Sequence, residues 1–332
     1  MSDARAREHR TPIPPTHSPT HPPTHRRGVG RAVVSALGDI KLAHSIFALP
    51  FAVLAAFLAA SPPTADGSAD AAIDWRRFAG QLALVVAAMV MARTAAMLAN
   101  RILDRDLDRE NPRTAGRAIP SGRLTVWRAG GALLAVGIGF VMVCAGFLLF
   151  ANPWPLILSL PVLAWICAYG WFKRFTSLCH LYLGSSLAIS PLAAAIAVDP
   201  RQLSQPVLWL LSAMVLCWVS GFDVIYALQD VETDRRQRLF SMPSRWGVER
   251  ALWVSRGLHA VAATCLWAAA VWDPRFGAPM MAAAALVTAL LLIEHLTVHR
   301  WGTSRLALTF FTLNGVISCV VGTVGVLEVL RG

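Results

Sequence analysis

Apolar residues run through this chain in stretches close to the ~20 residues an α-helix needs to cross a ~30 Å hydrocarbon layer. The stretches fall at about 35–60, 79–100, 128–150, 154–172, 179–198, 206–229, 250–271, 278–297 and 304–328, with short polar segments between them. This pattern predicts an all-α, multi-pass membrane protein with about nine transmembrane helices in one bundle around a central cavity. The run Asn152-Pro153-Trp154-Pro155 marks the start of the fourth helix, because proline fits a first helical turn, where no N–H is needed.

Residues 1–28 break the pattern. Their run from Thr11 to His25 is too rich in proline and polar residues to pack, which predicts a disordered, partly polyproline tail. It has no apolar core of a signal peptide. Its histidines are the right type for a metal, but a solvated tail needs no such role. The expected organisation is therefore a tail at 1–28 and a membrane domain at 29–332.

Composition excludes the soluble alternatives. A chain of 332 residues with 56 % hydrophobic and 15 % charged residues carries too few charges to cover a water-facing surface, for which about 25 % is usual. A soluble enzyme, a secreted scaffold and a disordered protein are all excluded. The net charge of +11 comes almost entirely from arginine, since only Lys41 and Lys173 are lysine. A basic chain can bind nucleic acid, but these arginines gather in short segments between apolar runs, as in cytoplasmic loops.

The N-terminal segment carries Arg5, Arg7, Arg10, Arg26, Arg27 and Arg31, and the next loop sets Asp66, Asp70 and Asp74 against Arg76 and Arg77. Arg101, Arg105, Arg109, Arg113, Arg117, Arg123 and Arg128 follow the second helix, Lys173 and Arg174 the fourth, and Arg235, Arg236, Arg238, Arg245 and Arg250 the sixth. Every second loop is basic, which places the N-terminus in the cytoplasm and the C-terminus outside, in a cell inner membrane. Cys144, Cys167, Cys179, Cys217, Cys265 and Cys319 lie in or beside apolar runs without C-x-x-C spacing, so neither a disulfide framework nor a zinc site is expected.

Two acidic segments stand out. The second helix runs into Asn100-x3-Asp104-x3-Asp108, and the sixth into Asp223-x2-Tyr226-x3-Asp230-x3-Asp234. On a continuous helix at about 100° per residue, Asn100, Asp104 and Asp108 share one face with Arg93, as do Asp223, Asp230 and Asp234. Asp106 and Glu232 point away. Asn100, Asp104 and Asp108 align with Tyr226, Asp230 and Asp234, which suggests an internal duplication. An even number of crossings separates the segments, so both reach the same face.

Stacked carboxylates repel one another. A hard cation removes that cost, and Mg²⁺ favours one or two carboxylates together with phosphate oxygens. Two such clusters facing each other suit a diphosphate gripped through its metals. The alternative is aspartates that merely pair with nearby arginines in a solvated loop. Stacking on one face gives these aspartates nothing structural, so their replacement is expected to spare folding. Tyr169 and Lys173, one turn apart, suit a diphosphate oxygen, although such a lysine also serves as an interface anchor. Lys41 and His44 are weaker intramembrane candidates.

These motifs resemble the UbiA superfamily of intramembrane prenyltransferases over nearly the whole membrane portion. Asn100-x3-Asp104-x3-Asp108 is similar to its first motif, Asp223-x2-Tyr226-Ala-x2-Asp230-x3-Asp234 to its second, and Tyr169-x3-Lys173 to its YxxxK element. Arg93-Thr-Ala-Ala-Met, Asn111-Pro-Arg-Thr114, Arg117-Ala-Ile-Pro120 and Lys173-Arg-Phe-Thr176 look like the quinone-precursor branch. That branch includes 4-hydroxybenzoate polyprenyltransferases and the futalosine-route enzyme that prenylates 1,4-dihydroxy-6-naphthoate. Ala43-His-Ser-Ile-Phe-Ala-Leu-Pro-Phe51 and Gln229-Asp-Val-Glu232 lean toward the latter.

The resemblance implies Mg²⁺-assisted ionisation of a polyprenyl diphosphate and transfer of the prenyl group to an aromatic acceptor, in ubiquinone or menaquinone biosynthesis. It implies metal ligands in Asp104, Asp108, Asp230 and Asp234 with Asn100. Arg93, Arg113, Arg117, Lys173 and Tyr169 would neutralise the diphosphate. Asp223 would orient the acceptor or take its proton, with Tyr226 beside it in the same motif. The partners implied are these two substrates and the bilayer, with no nucleic acid and no obligate protein. Haem and chlorophyll-type acceptors remain alternatives within the superfamily. A CDP-alcohol phosphotransferase would need a D-G-x2-A-R segment that is missing here. A transporter would place its charges near the midplane.

Overall fold

The computed structural model describes residues 47–63, 73–306 and 312–331. The expected tail at 1–28, the start of the first helix with Lys41 and His44, and Asp66 and Asp70 lie outside the described residues. So the tail and the two intramembrane candidates have no structural account.

The described residues form twelve α-helices and no strand: α1 Leu49–Ala60, α2 Trp75–Leu103, α3 Arg105–Glu110, α4 Val126–Ala145, α5 Trp154–Phe172, α6 Cys179–Val198, α7 Pro206–Tyr226, α8 Val231–Arg236, α9 Met242–Trp246, α10 Val248–Trp272, α11 Ala278–Trp301 and α12 Asn314–Val329. Seven spans are long and apolar enough to cross a membrane, from Trp75–Leu103 to Ala278–Arg305. The helices expected at 35–60 and 304–328 are represented by the shorter α1 and α12, each beside residues outside the described set. The expected nine is therefore seven full-length and two shorter apolar helices among the described residues.

Local chemistry fixes several helix starts. The Asp74 carboxylate accepts from the Arg77 N–H at 3.2 Å and the Thr125 hydroxyl from the Arg128 N–H at 3.4 Å, so both act as N-caps. Proline opens the first turn of α5 and α7. Tryptophans sit at or next to helix ends, at Trp75, Trp127, Trp154, Trp171, Trp272 and Trp301, and all are exposed, as in the aromatic belts of membrane proteins. Between them, α4 exposes Leu134, Ile138 and Met142 along one stripe, a surface suited to lipid.

Helix α7 is the centre of the bundle. Its span is 67 % buried, against 39 % or less for the other six, and its Leu208, Leu211, Met214, Val215 and Trp218 lie in the core with Phe51, Leu54 and Leu58 of α1. Helices α6 and α10 pack along it. Small residues allow that approach. A Cβ at Gly184 of α6 would collide with Ser220 Oγ and the Leu216 carbonyl of α7, and one at Gly221 of α7 would collide with the His259 ring of α10. The second acidic segment thus grows from the most firmly held helix.

Candidate active site

The helix-wheel reading needs one correction. Neither acidic segment is a continuous α-helix. Helix α2 ends at Leu103, Asp104 adopts φ −91° and ψ 4°, and α3 begins at Arg105. Helix α7 ends at Tyr226, Ala227–Asp230 form a 3₁₀ turn, and α8 follows. The backbone stays locally helical through the first break, since Asp104 N donates to Asn100 O at 2.9 Å and Asp108 N to Asp104 O at 2.7 Å. Four helices, α4 to α7, lie between the segments, and both segments come together at one end of the bundle.

Long-range bonds make that junction. Lys173 Nζ, at the end of α5, donates to Asp104 Oδ2 at 2.6 Å, and Arg174 to Asp104 Oδ1 at 3.3 Å. Asn111 Nδ2 donates to Asp230 Oδ1 at 3.0 Å, and Arg113 grips both oxygens of Asp230. Arg113 also donates to the Tyr226 hydroxyl at 3.2 Å. Gln237 Nε2 reaches the Leu107 carbonyl at 3.0 Å, and Phe240 N the Lys173 carbonyl at 2.7 Å.

The carboxylates of the first segment are buried, those of the second half-buried, and all are matched. Asp104 is 2 % and Asp108 6 % exposed, and Asp108 receives Arg117 Nη1 at 2.7 and 2.8 Å. Asp234 accepts from Ser241 Oγ at 2.6 Å and lies within electrostatic reach of Asp230, Lys173 and His180. Lys173 therefore stands between the two segments, bonded to one and felt by the other. Burial alone would lower the basicity of Arg113, but the hydrogen bond and charge of Asp230 outweigh it and raise it above the ordinary value. Among the described residues, no three His, Cys, Asp or Glu side chains are grouped closely enough to hold a metal unaided.

Beside this polar end lies a cavity of about 380 Å³ between α2, α4, α5 and α6. Val85, Met89, Phe140, Phe147, Ile166 and Leu187 contribute to its apolar wall, and Arg93 and Tyr169 also line it. Tyr169 lies within electrostatic reach of Arg93, Asp104, Arg101 and Asp223, so this one residue borders both the cavity and the acidic segments. Asn100 Oδ1 faces Gly170 of α5.

The structure thus gathers Asn100, Asp104, Asp108, Arg117, Lys173 and Tyr169 on one side, and Asp223, Tyr226, Asp230, Asp234 and Arg113 on the other. Arg93 joins through the cavity rather than through a bond to an aspartate. Sequence reasoning missed two members. His180 Nδ1 lies 2.7 Å from Asp223 Oδ2, and a lone histidine at the edge of an apolar run gives no periodic signal. Arg101, within reach of Asp104, Asp108 and Arg117, has a buried Nε without a hydrogen-bond partner, and it was legible only as a loop charge.

Known proteins share this architecture. The sequence model of the UbiA prenyltransferase family matches residues 47–316. The apo structure of a UbiA homolog from Aeropyrum pernix K1 is 30 % identical, with a TM-score of 0.73, covering 86 % of this chain and 98 % of that one. A UbiA homolog from Archaeoglobus fulgidus bound to GPP and Mg²⁺ has a TM-score of 0.64 at 17 % identity over 90 % of this chain and 99 % of its own, a likeness of fold. The 4-hydroxybenzoate octaprenyltransferase of Serratia proteamaculans is 34 % identical over 37 % of this chain and 40 % of its own length. That of Yersinia pseudotuberculosis is 31 % identical over 50 % of this chain and 54 % of its own. The matched segments thus span about half or less of these curated relatives. The chain belongs to the UbiA prenyltransferase family and is an integral membrane protein.

Proposed function

We propose that this member of the UbiA prenyltransferase family transfers a polyprenyl group from a polyprenyl diphosphate to a small aromatic quinone precursor, either 4-hydroxybenzoate or 1,4-dihydroxy-6-naphthoate. One juxtaposition carries the reading. An apolar cavity lined also by Arg93 and Tyr169 lies beside two acidic segments whose buried or half-buried carboxylates are each held beside a basic or hydroxyl side chain. Lipid tail and diphosphate are the two halves of one substrate, and the site offers each half its matching chemistry.

The residues fit a divalent metal. Asp104, Asp108, Asp230 and Asp234, with Asn100, are hard oxygen donors. Mg²⁺ is characteristically held by one or two carboxylates and completed by substrate phosphates. When bound, Mg²⁺ would supply positive charge to a departing diphosphate. The arginines and lysine then have a second role. Arg113, Arg117 and Lys173 are only about a quarter to a third exposed, and an arriving diphosphate gives them new anionic partners through charge-assisted hydrogen bonds. Donors fixed before the reaction stabilise charge where it develops.

The carbon–oxygen bond breaks with its electron pair leaving on the diphosphate. The acceptor ring attacks the allylic carbon, and the ring proton then departs. In this reading Asp223 orients the acceptor or takes that proton. The apolar wall excludes water that would otherwise quench the cation. By the arginine distribution, the site and the N-terminus face the cytoplasm of a bacterial inner membrane.

The test is purified protein with labelled polyprenyl diphosphate and each acceptor in turn, with and without Mg²⁺. Prenylated product with one acceptor supports the reading. Product with neither overturns it.

A further inference from the structure

We propose that His180 is a positioning residue that fixes the Asp223 carboxylate against the aromatic acceptor, an inference that rests on the prenyl transfer proposed above. His180 is the second residue of α6 and is 3 % exposed. Both of its ring nitrogens are engaged. Nδ1 lies 2.7 Å from Asp223 Oδ2 of α7, and Nε2 lies 3.2 Å from the backbone N–H of Met242 at the start of α9.

The second contact decides the first. A backbone N–H can only donate, so Nε2 accepts and the ring proton resides on Nδ1. His180 therefore donates to Asp223. With both nitrogens used, the imidazole has nothing left for a substrate and acts through the carboxylate alone.

Asp223 needs such an anchor. A carboxylate turns freely about its last torsion, and this one keeps 23 % of its side-chain surface open while its partner keeps 4 %. The bond to His180 commits Oδ2 and leaves the other oxygen to accept from the hydroxyl of a phenolic acceptor.

A histidine that merely satisfies a buried core would make its contacts inside that core. This one directs Nδ1 to a carboxylate that remains partly open. The two cases separate in kinetics. In the full-length protein, His180→Leu should lower kcat at least tenfold and raise KM for the acceptor, leaving KM for the polyprenyl diphosphate within twofold. His180→Gln should restore most of the activity, because its amide can donate to Asp223 and accept from Met242. In an Asp223→Asn background, His180→Leu should cost less than a further twofold. Equal losses in both backgrounds, no recovery by glutamine, or both KM values rising together would assign His180 to packing and overturn the proposal. A wild-type protein inactive on both acceptors would overturn the underlying reaction, and this proposal with it.

Discussion

Asp104 and Asp230 hold nearly the same backbone conformation, φ −91°, ψ 4° and φ −109°, ψ 6°. Both lie near the sparsely populated bridge region, where many active-site residues sit. Each is the residue after which a short polar helix begins. The duplication read from residue spacing thus extends to the backbone. The break changes the aim of the side chains that follow it, so Asp108 and Asp234 need not continue the face of the membrane helix. It also lengthens the second segment. A 3₁₀ turn rises ~2.0 Å per residue, which puts Asp223 about 12 Å from Asp230 along the chain axis, rather than the ~10 Å of a plain helix.

Asp104→Asn and Asp230→Asn should each lower kcat/KM by about 10²–10³-fold, with the folded protein recovered in wild-type yield. Asparagine keeps the volume and one acceptor oxygen. Alanine is a poorer test than the sequence suggested. Asp104 is buried and bonded to Lys173 and Arg174, so Asp104→Ala should also cost about 1–3 kcal/mol of stability. Thermal unfolding in detergent, run beside the assay, separates the effects. Wild-type turnover by either asparagine variant would remove that carboxylate from the site.

Turnover should cease in EDTA and return on adding Mg²⁺, while thermal stability changes little. The carboxylates already have Lys173, Arg117 and Arg113 as partners, so the fold does not wait on a metal. A large drop in unfolding temperature with EDTA would make the metal structural instead. Full turnover in EDTA would exclude a metal role.

The helices were legible because each is a long apolar run with a marked start. The spans expected at 154–172 and 179–198 coincide with α5 and α6. The site was legible in part, since the two acidic segments do meet. Its pairings were not. Arg113 with Asp230 and Lys173 with Asp104 are contacts between distant parts of the chain, and no local pattern encodes them. The break at Asp104 was hidden too, because a wheel drawn at a constant angle assumes the continuity it sets out to test. His180 was hidden for a third reason, being one polar side chain at the edge of an apolar helix.

Single cysteines at Gly116 and Glu249 should react with an impermeant maleimide only after cells are opened, with the unsubstituted protein as the blank. Both positions are exposed, and nothing lies within 4 Å of a side chain added at Gly116. Labelling of both from outside would invert the proposed orientation. Labelling of only one would contradict the shared end of the bundle.

Gly184→Ala should destabilise the protein by about 1–3 kcal/mol, the usual cost of overfilling a packed core. The added methyl has nowhere to go, because the Leu216 carbonyl belongs to the backbone of the central helix. A thermal shift measured in detergent against wild type tests this. An unchanged unfolding temperature would mean that α6 and α7 can separate freely.

Gly170→Ala is the more discriminating glycine substitution, because here the neighbour, Asn100, belongs to the first acidic segment. A methyl at Gly170 would come within 2.5 Å of Asn100 Oδ1. That oxygen ends a short side chain that can rotate away, so the fold should be spared and unfolding should occur near the wild-type temperature. Displacing Asn100 from the first acidic segment should nonetheless lower turnover about tenfold or more. The control is Asn100→Ala alone and combined with Gly170→Ala. If the methyl acts by moving Asn100, it costs nothing further once that side chain is gone. If the two losses multiply, Gly170→Ala disturbs something else, and the close approach of α5 to α2 beside Leu103 becomes the feature that matters rather than the orientation of Asn100.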